Sequence, residues 1–418
     1  MFAVCYLAAI AFTVILILAF GRKRQVAALC MGAVLFGIVG FMMTPNPAEY
    51  VDTVRFFNTL DEARSFAITS YDDAWNYLMV DNGYNATPVI GIILFLITLQ
   101  QENGWLTFIA AFVDVGAGFY LVYQQTNKGK NKNALIIGIL CFLCLFNFNA
   151  GVSGVRNYMA GFAAICVAYT FSRRFSALSL LLYIPLILIH PFAMIIPVLY
   201  LLSVTYRRHK LLYTLLCIPL LCQHYIQDLI FSIFKHFSNI PFFSSLLFKS
   251  TQYFGDEAYI IIDSSFSRMR SIFLLFLYLS LLIMAMHLRH NINVQYIGFT
   301  VMLACFAIGA FQDEQLFSRC VSMLMIAILP FICELIKEAL SQSWARMGPT
   351  FPFVIVLVCS TIILVDNLRA GVRFQIMDIS VYAICVICIY LLSVIYLLIV
   401  CNDGLCNVKH VPYIKGKL

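Results

Sequence analysis

The stretch FNFNAGVSGVRNYMAGFAAICVAYTFSRR, residues 146–174, decides how the chain is read. An apolar segment surfaces, turns through Gly151-Val152-Ser153-Gly154, presents Arg156 and descends again. Basic groups lie on both flanks of this hairpin, with Lys128, Lys130 and Lys132 before it and Arg173 and Arg174 at its end. Lysine and arginine collect in the cytoplasmic loops of membrane proteins, which puts both flanks inside and Arg156 outside. An arginine that runs against this bias invites a chemical reason. The simplest is an anion, gripped by the planar guanidinium.

Composition points the same way. The 418 residues are 62% hydrophobic, 15% aromatic and 11% charged, with a mean hydropathy of +0.91, which excludes an ordinary soluble protein. Apolar runs near the ~20 residues needed to cross hydrocarbon recur from end to end, and no long polar block interrupts them. The reading is an all-α, polytopic integral membrane protein whose residues 1–418 form a single membrane domain. The net charge of +7 is a topology signal and implies no nucleic-acid partner, because the basic residues sit in short loops that alternate with acidic ones. The fifteen cysteines lie mostly inside apolar runs, as Cys141, Cys144, Cys166, Cys305, Cys385 and Cys388 do, and act there as small hydrophobes. Nucleotide-cradling glycine loops and HExxH do not occur, and the C-x-x-C spacings at Cys141–Cys144 and Cys385–Cys388 lack partner clusters, so neither ATP-driven chemistry nor a metal or cofactor is expected.

In chain order, residues 2–20 cross inward to Arg22-Lys23-Arg24 as an uncleaved first helix, and residues 26–43 cross outward. Residues 44–87 form an acidic outer segment with Glu49, Asp52, Asp61, Glu62, Asp72, Asp73 and Asp81. Val51, Val54, Phe57 and Leu60 recur at helical spacing, so a partly helical cap is expected there, either a solvated loop or a polar-ligand surface. Residues 88–101 are too short to span and begin at Pro88, which makes them a re-entrant half-helix. Residues 105–123 then cross inward with Asp114 at their midpoint, either a functional carboxylate or a neutral packing group.

Residues 177–203 lie between two basic flanks and break at His190-Pro191, which reads as a hairpin with His190 at its outer apex. After residues 211–222, the spacing of Ile226, Leu229, Ile230, Ile233, Phe234 and Phe237 predicts an amphipathic helix in the interface plane. It belongs to a second outer segment, residues 225–270, that carries the loop pair Arg268 and Arg270. Residues 271–286 go in and 296–311 come out. Arg319 opens the next inward helix, residues 317–336. Residues 351–365 and 379–400, joined by a loop with Arg369 and Arg373, complete roughly thirteen crossings plus the half-helix by hydropathy and charge.

Arg156, Arg319, Arg268 and Arg270 thus face outward, with carboxylates and His190 on the same side. Such a set suits a lipid that carries a diphosphate: guanidinium forks grip phosphate oxygens, apolar helices hold an isoprenoid tail, and carboxylates suit sugar hydroxyls.

Three runs carry a family resemblance: Gly154-Val155-Arg156-Asn157, Ile189-His190-Pro191-Phe192-Ala193, and Phe317-Ser318-Arg319 leading to residues 327–330. Together they resemble the EpsG-like family of Wzy-type polysaccharide polymerases, over residues 84–331. The resemblance implies a GT-C-like architecture and a bacterial cytoplasmic membrane protein with its active site on the outer face. It implies a metal-independent glycosyltransferase that joins undecaprenyl-diphosphate-linked oligosaccharide units of an O-antigen, capsule or exopolysaccharide. A chain-length regulator and a flippase are the protein partners it suggests. The expected step is inverting transfer, in which Arg156 and Arg319 stabilise the departing diphosphate and Asn157 stands beside them. His190 is the expected general base, with Glu49 or Asp52 as the alternative. A ligase using the same lipid-linked donor, and a flippase or transporter, remain as alternative readings.

Overall fold

The computed structural model describes residues 2–45, 52–126, 128–172, 177–223, 265–287 and 292–341, with short pieces between 232 and 244. The chain opens with two antiparallel helices, α1 (Phe2–Ala19) and α2 (Gln25–Phe41). A cap follows, built from α3 (Asp52–Ala67), α4 (Tyr71–Asn76), a wide π-helical turn at Tyr77–Asp81, a tight turn at Tyr84–Ala86, and α5 (Pro88–Thr98). Next come α6 (Gly104–Gln125), α7 (Lys132–Leu145), the short α8 (Phe148–Ser153) and α9 (Val155–Ser172). After α10 (Ala177–Leu181), α11 (Tyr183–Ile189) and α12 (Ile195–Leu202) are separated by a turn at Pro191–Met194. Then follow α13 (Thr205–Arg208), α14 (Lys210–Leu221), α15 (Ser265–His287), α16 (Val294–Gly309) and α17 (Glu314–Ser341).

Among the described residues, Arg22–Phe41, Gly104–Gln125, Val294–Gln312 and Glu314–Glu338 are long and apolar enough to cross a membrane. Ile15, Ile38, Leu215 and Phe276 lie on the bundle exterior with much of their surface open, as lipid-facing side chains do. This is a helical membrane protein. Helices satisfy their own backbone polar groups, which hydrocarbon cannot do for them.

Helix directions follow from side-chain levels. Gly40 meets Thr107 and Gly32 meets Phe119, so α2 and α6 run antiparallel. The fit is close: a β-carbon on Gly40 would sit 2.5 Å from the Thr107 carbonyl oxygen. The Cys166 thiol reaches the Ala117 carbonyl at 3.5 Å, and Tyr120 meets Thr170 one turn farther on, so α6 and α9 run parallel. Tyr158 and Ser322 share a hydrogen bond of 3.1 Å, while farther along the same helices Tyr169 bonds Gln125, which bonds Glu334. Helices α6, α9 and α17 therefore all start at one end of the bundle. That end carries the cap; the turn before α7 lies at the far end.

Inside α17, Pro330 removes a backbone donor, and the freed region is helped by Tyr296, whose hydroxyl donates to the Ala327 carbonyl at 3.0 Å. Burial divides into two clusters. The larger fills the bundle, with Phe36, Phe119, Phe142, Phe146 and Phe148 linked edge to face or stacked at centroid distances between 5.4 and 6.2 Å. The smaller lies at the cap end and joins Phe56, Leu60, Tyr84, Leu94, Val155 and Ile189.

Three expectations change in detail. The turn through residues 151–154 is helix α8, because the Asn147 side chain caps it by accepting from the Ala150 N–H at 2.9 Å. The buried face of the cap helix is Thr53, Phe56, Leu60 and Ala63, one residue round from the predicted Val54 and Phe57, because Thr53 bonds the carbonyl of Val152 and Phe56 packs against Tyr84. Arg268 and Arg270 stand in helix α15 rather than in a loop. The half-helix expected at residues 88–101 is α5, 11 residues long, or about 16 Å at 1.5 Å per residue. Roughly 30 Å of hydrocarbon is beyond its reach. The amphipathic segment 226–237 lies largely, and residues 351–400 wholly, outside the described residues.

Candidate functional site

Chain breaks at the cap end build the site. Gly154 interrupts the helix, so α9 restarts at Val155 and Arg156 stands in its first turn, half-buried. The Arg156 guanidinium carbon lies 5.0 Å from the centre of the Phe56 ring and 5.7 Å from that of Tyr84. These two rings stack on one another with centroids 6.5 Å apart and planes tilted by 26°. A cation on such faces gains from the ring quadrupole, about 0.5–1 kcal/mol where exposed and ~2 where desolvated. Arg55 also faces Phe56, at 5.5 Å, and pairs with Asp52 at 3.1 Å.

Thr53 ties the cap to the α8–α9 junction by donating to the Val152 carbonyl at 3.1 Å. Burial pushes the Tyr84 hydroxyl above the ordinary tyrosine range. The nearby charges of Arg156 and Arg55 pull it back down, and Asp52 pushes with burial. Four side chains, Asp52, Arg55, Tyr84 and Arg156, thus sense one another at one place.

His190 reaches the same region. The chain leaves the large cluster at Tyr183, enters the cap-end cluster at Ile189 and Ala193, and returns to the large one at Ile196. His190 is therefore the apex of a hairpin, and it is buried. Its Nδ1 accepts from the Phe192 N–H at 3.1 Å and caps the turn that follows. A neutral imidazole that accepts at Nδ1 carries its proton on Nε2, so this geometry makes Nε2 the ring's donor.

Arg319 sits one turn before Ser322, the partner of Tyr158, and so stands level with Arg156 on the neighbouring parallel helix. It faces Asp313, whose carboxylate accepts from the Leu316 N–H at 2.9 Å. Burial raises the Asp313 carboxyl above its usual range, opposed by that hydrogen bond and by the Arg319 charge. Arg268 covers the same turn, with its guanidinium 4.8 Å from the Phe311 ring centre and donating to the Phe311 carbonyl at 3.1 Å. The structure thus brings Arg156, Asp52 and His190 to one station, and Arg268 and Arg319 to a second at the same end. Glu49 and the Arg270 side chain lie outside the described residues.

Two further predicted residues, Asp114 and Asn157, are buried. Asp114 is fully buried within α6, with neither carboxylate oxygen hydrogen-bonded, and it packs against Gly151. Asn157 is buried next to Arg156, with its Oδ1 unpartnered. Two of the cap's acids are used locally: Asp61 accepts from Arg64 and Asn103, and Glu62 accepts from Tyr77.

Phe56, Arg55 and Tyr84 are the site residues that sequence reasoning missed. No spacing rule links position 56 to position 156. Among the described residues, no group of three or more His, Cys, Asp or Glu gathers to hold a metal. Comparisons with family models, curated proteins and solved structures find no match to this chain.

Proposed function

We propose that this protein is a membrane glycosyltransferase of the polysaccharide-polymerase kind, joining oligosaccharide units carried on undecaprenyl diphosphate at the outer face of a bacterial cytoplasmic membrane. The observation that carries the reading is the Arg156 guanidinium seated on Phe56 and Tyr84, with His190 at the same end and Arg319 level with it. In this reading the cap end faces outward, and the described helices belong to a GT-C-like bundle of roughly thirteen crossings. A hydroxyl of one sugar chain attacks the anomeric carbon of another, the carbon–oxygen bond to the diphosphate breaks, and the lipid diphosphate departs.

Arg156 and Arg319 stabilise the charge that grows on the leaving oxygens. The hydroxyl proton goes to a carboxylate, with Asp52 placed beside Arg156 and Glu49 three residues before it. His190, with its proton on Nε2, donates to a sugar or phosphate oxygen. A chain-length regulator and a flippase are the protein partners this role calls for.

The test is the purified protein with a lipid-linked oligosaccharide, scored for longer glycans. Longer chains on the lipid support polymerisation. Transfer to a different acceptor supports a ligase instead, and movement across the bilayer without lengthening supports a flippase.

A further inference from the structure

Arg55 is an exposed arginine in the cap helix, and taken alone its pairing with Asp52 is an ordinary surface i,i+3 ion pair. Such pairs contribute about 0–1 kcal/mol and exchange partners readily. Its surroundings are less ordinary. The Phe56 ring, 1% exposed, has the Arg55 guanidinium carbon at 5.5 Å and that of Arg156 at 5.0 Å. Like charges brought to one ring repel, and the contacts that dock the cap on α8 and α9 hold the two cations there in spite of that cost. Thr53 is pinned to the Val152 carbonyl, and Tyr84 is held in the turn after Gly83, whose φ of 69° suits glycine. Of the groups whose charge reaches the Tyr84 hydroxyl, two are cations and one is an anion.

We propose that Arg55 and the Tyr84 hydroxyl join Arg156 in one binding site for a phosphate-bearing headgroup, with Asp52 as the resident counter-ion that the phosphate displaces from Arg55. The cap thereby supplies two of the three ligands and α9 the third. Two guanidinium forks offer directional donors to separate phosphate oxygens, and the phenol adds a neutral donor between them. Phe56 fixes the height of both forks by giving each a face to rest on. Asp52 keeps Arg55 in place while the site is empty. When phosphate arrives, the carboxylate releases Arg55 and stays at the edge of the site, where its 37% exposed side chain can take up a proton. In naming the lipid diphosphate as the natural headgroup the inference rests on the glycosyl-transfer reading; the anion site itself does not.

The test uses the full chain in detergent, titrated calorimetrically with inorganic pyrophosphate and, in a second arm, with a short polyprenyl diphosphate. Arg55→Gln is expected to weaken pyrophosphate binding about 10- to 100-fold, the range of a charge-assisted hydrogen bond. Arg55→Lys recovers part of that loss, because it keeps the charge and loses the fork. Tyr84→Phe weakens binding about 5-fold by removing one neutral donor. Asp52→Asn tightens it at low salt, because the competing anion is gone. Lys130→Gln, in the turn at the far end, leaves it unchanged.

A merely structural Asp52–Arg55 pair predicts the opposite pattern, with thermal stability shifted in both variants and affinity in neither. Parental affinity in Arg55→Gln and Tyr84→Phe overturns the proposal. Tighter binding of the polyprenyl compound than of pyrophosphate assigns the site to a lipid carrier; equal affinity assigns it to free pyrophosphate, and either supports the site. Intact binding together with no glycan lengthening in the polymerisation assay sinks the polymerase reading and leaves the site standing. Lengthening that survives Arg55→Gln does the reverse.

Discussion

The two ends of the bundle handle charge in contrary ways. At the far end, Tyr169 donates to the Gln125 side chain, Gln125 donates to Glu334, and Lys337 pairs with Glu334 and donates to the Gln125 carbonyl at 3.1 Å. Donors and acceptors there are consumed by one another across α6, α9 and α17. At the cap end, Arg156 rests on aromatic faces, and Arg55 pairs with a carboxylate that is open to water. A network that satisfies itself holds helices together. A ring face takes up a cation's charge and none of its N–H donors, so the two ends are held by different kinds of contact. The far end is a clasp and the cap end a receiver, although both use the same residue types.

The comparison breaks most visibly at Glu334. Removing one partner of a buried, hydrogen-bonded pair leaves the other charge uncompensated, so Glu334→Ala should cost roughly 3–5 kcal/mol of stability. Thermal unfolding in detergent would show it, and a melting temperature equal to the parent's would mean that the clasp holds nothing. Glu334→Gln should cost less, since one acceptor oxygen remains for Gln125 or Lys337.

At the other end the expected loss is in rate. Arg156→Ala and Arg319→Ala should each reduce glycan elongation by about 100- to 1,000-fold, or roughly 3–4 kcal/mol of leaving-group stabilisation, with the protein level unchanged. Lysine at either position should restore a part, through charge without the fork. If Arg156→Ala kept more than about a third of parental polymer at equal protein level, far short of that loss, the receiver would be structural.

A smaller effect separates the ring from the cation. Phe56→Leu keeps apolar volume and removes the face, so elongation should fall about 5- to 30-fold, the equivalent of ~1–2 kcal/mol of cation–π contact. Tyr84→Phe, which retains its ring, should fall no further than the about 5-fold set by its hydroxyl, and a larger fall would count against this account.

The smallest effect is at Asp313. The folded chain holds this carboxyl above its usual range, so ionisation costs more folded than unfolded, and the penalty grows as pH rises through the carboxylate range near ~4. Asp313→Asn keeps a helix-capping acceptor and removes that penalty. The variant should therefore be slightly more stable than the parent at neutral pH, and the two should converge as the pH falls below the ordinary carboxylate range. A gap that widens on acidification would reverse the sign of this reasoning.

Residue order alone determined that the chain is a helical membrane protein, that Arg156 opens a helix beside a break, and that His190-Pro191 turns a hairpin. Each of these is written locally, in apolar run length, in a glycine or proline, or in the sign of the flanking loops. Hydropathy could also place Arg156 and Arg319 at like ends of two helices, because it counts the direction of travel.

What tertiary structure alone decided is which side chains meet. The cap helix turns Phe56 and Arg55, rather than its predicted face, toward Arg156; Asp114 is packed away against Gly151; and Gln125, Glu334 and Lys337 lock together across 209 residues of chain. Helix rotation about its own axis costs sequence patterning nothing when most faces are apolar, so the choice of face falls to close packing between helices. The His190 tautomer was hidden for a related reason. It hangs on a single N–H two residues away, whose direction is fixed only when the turn closes.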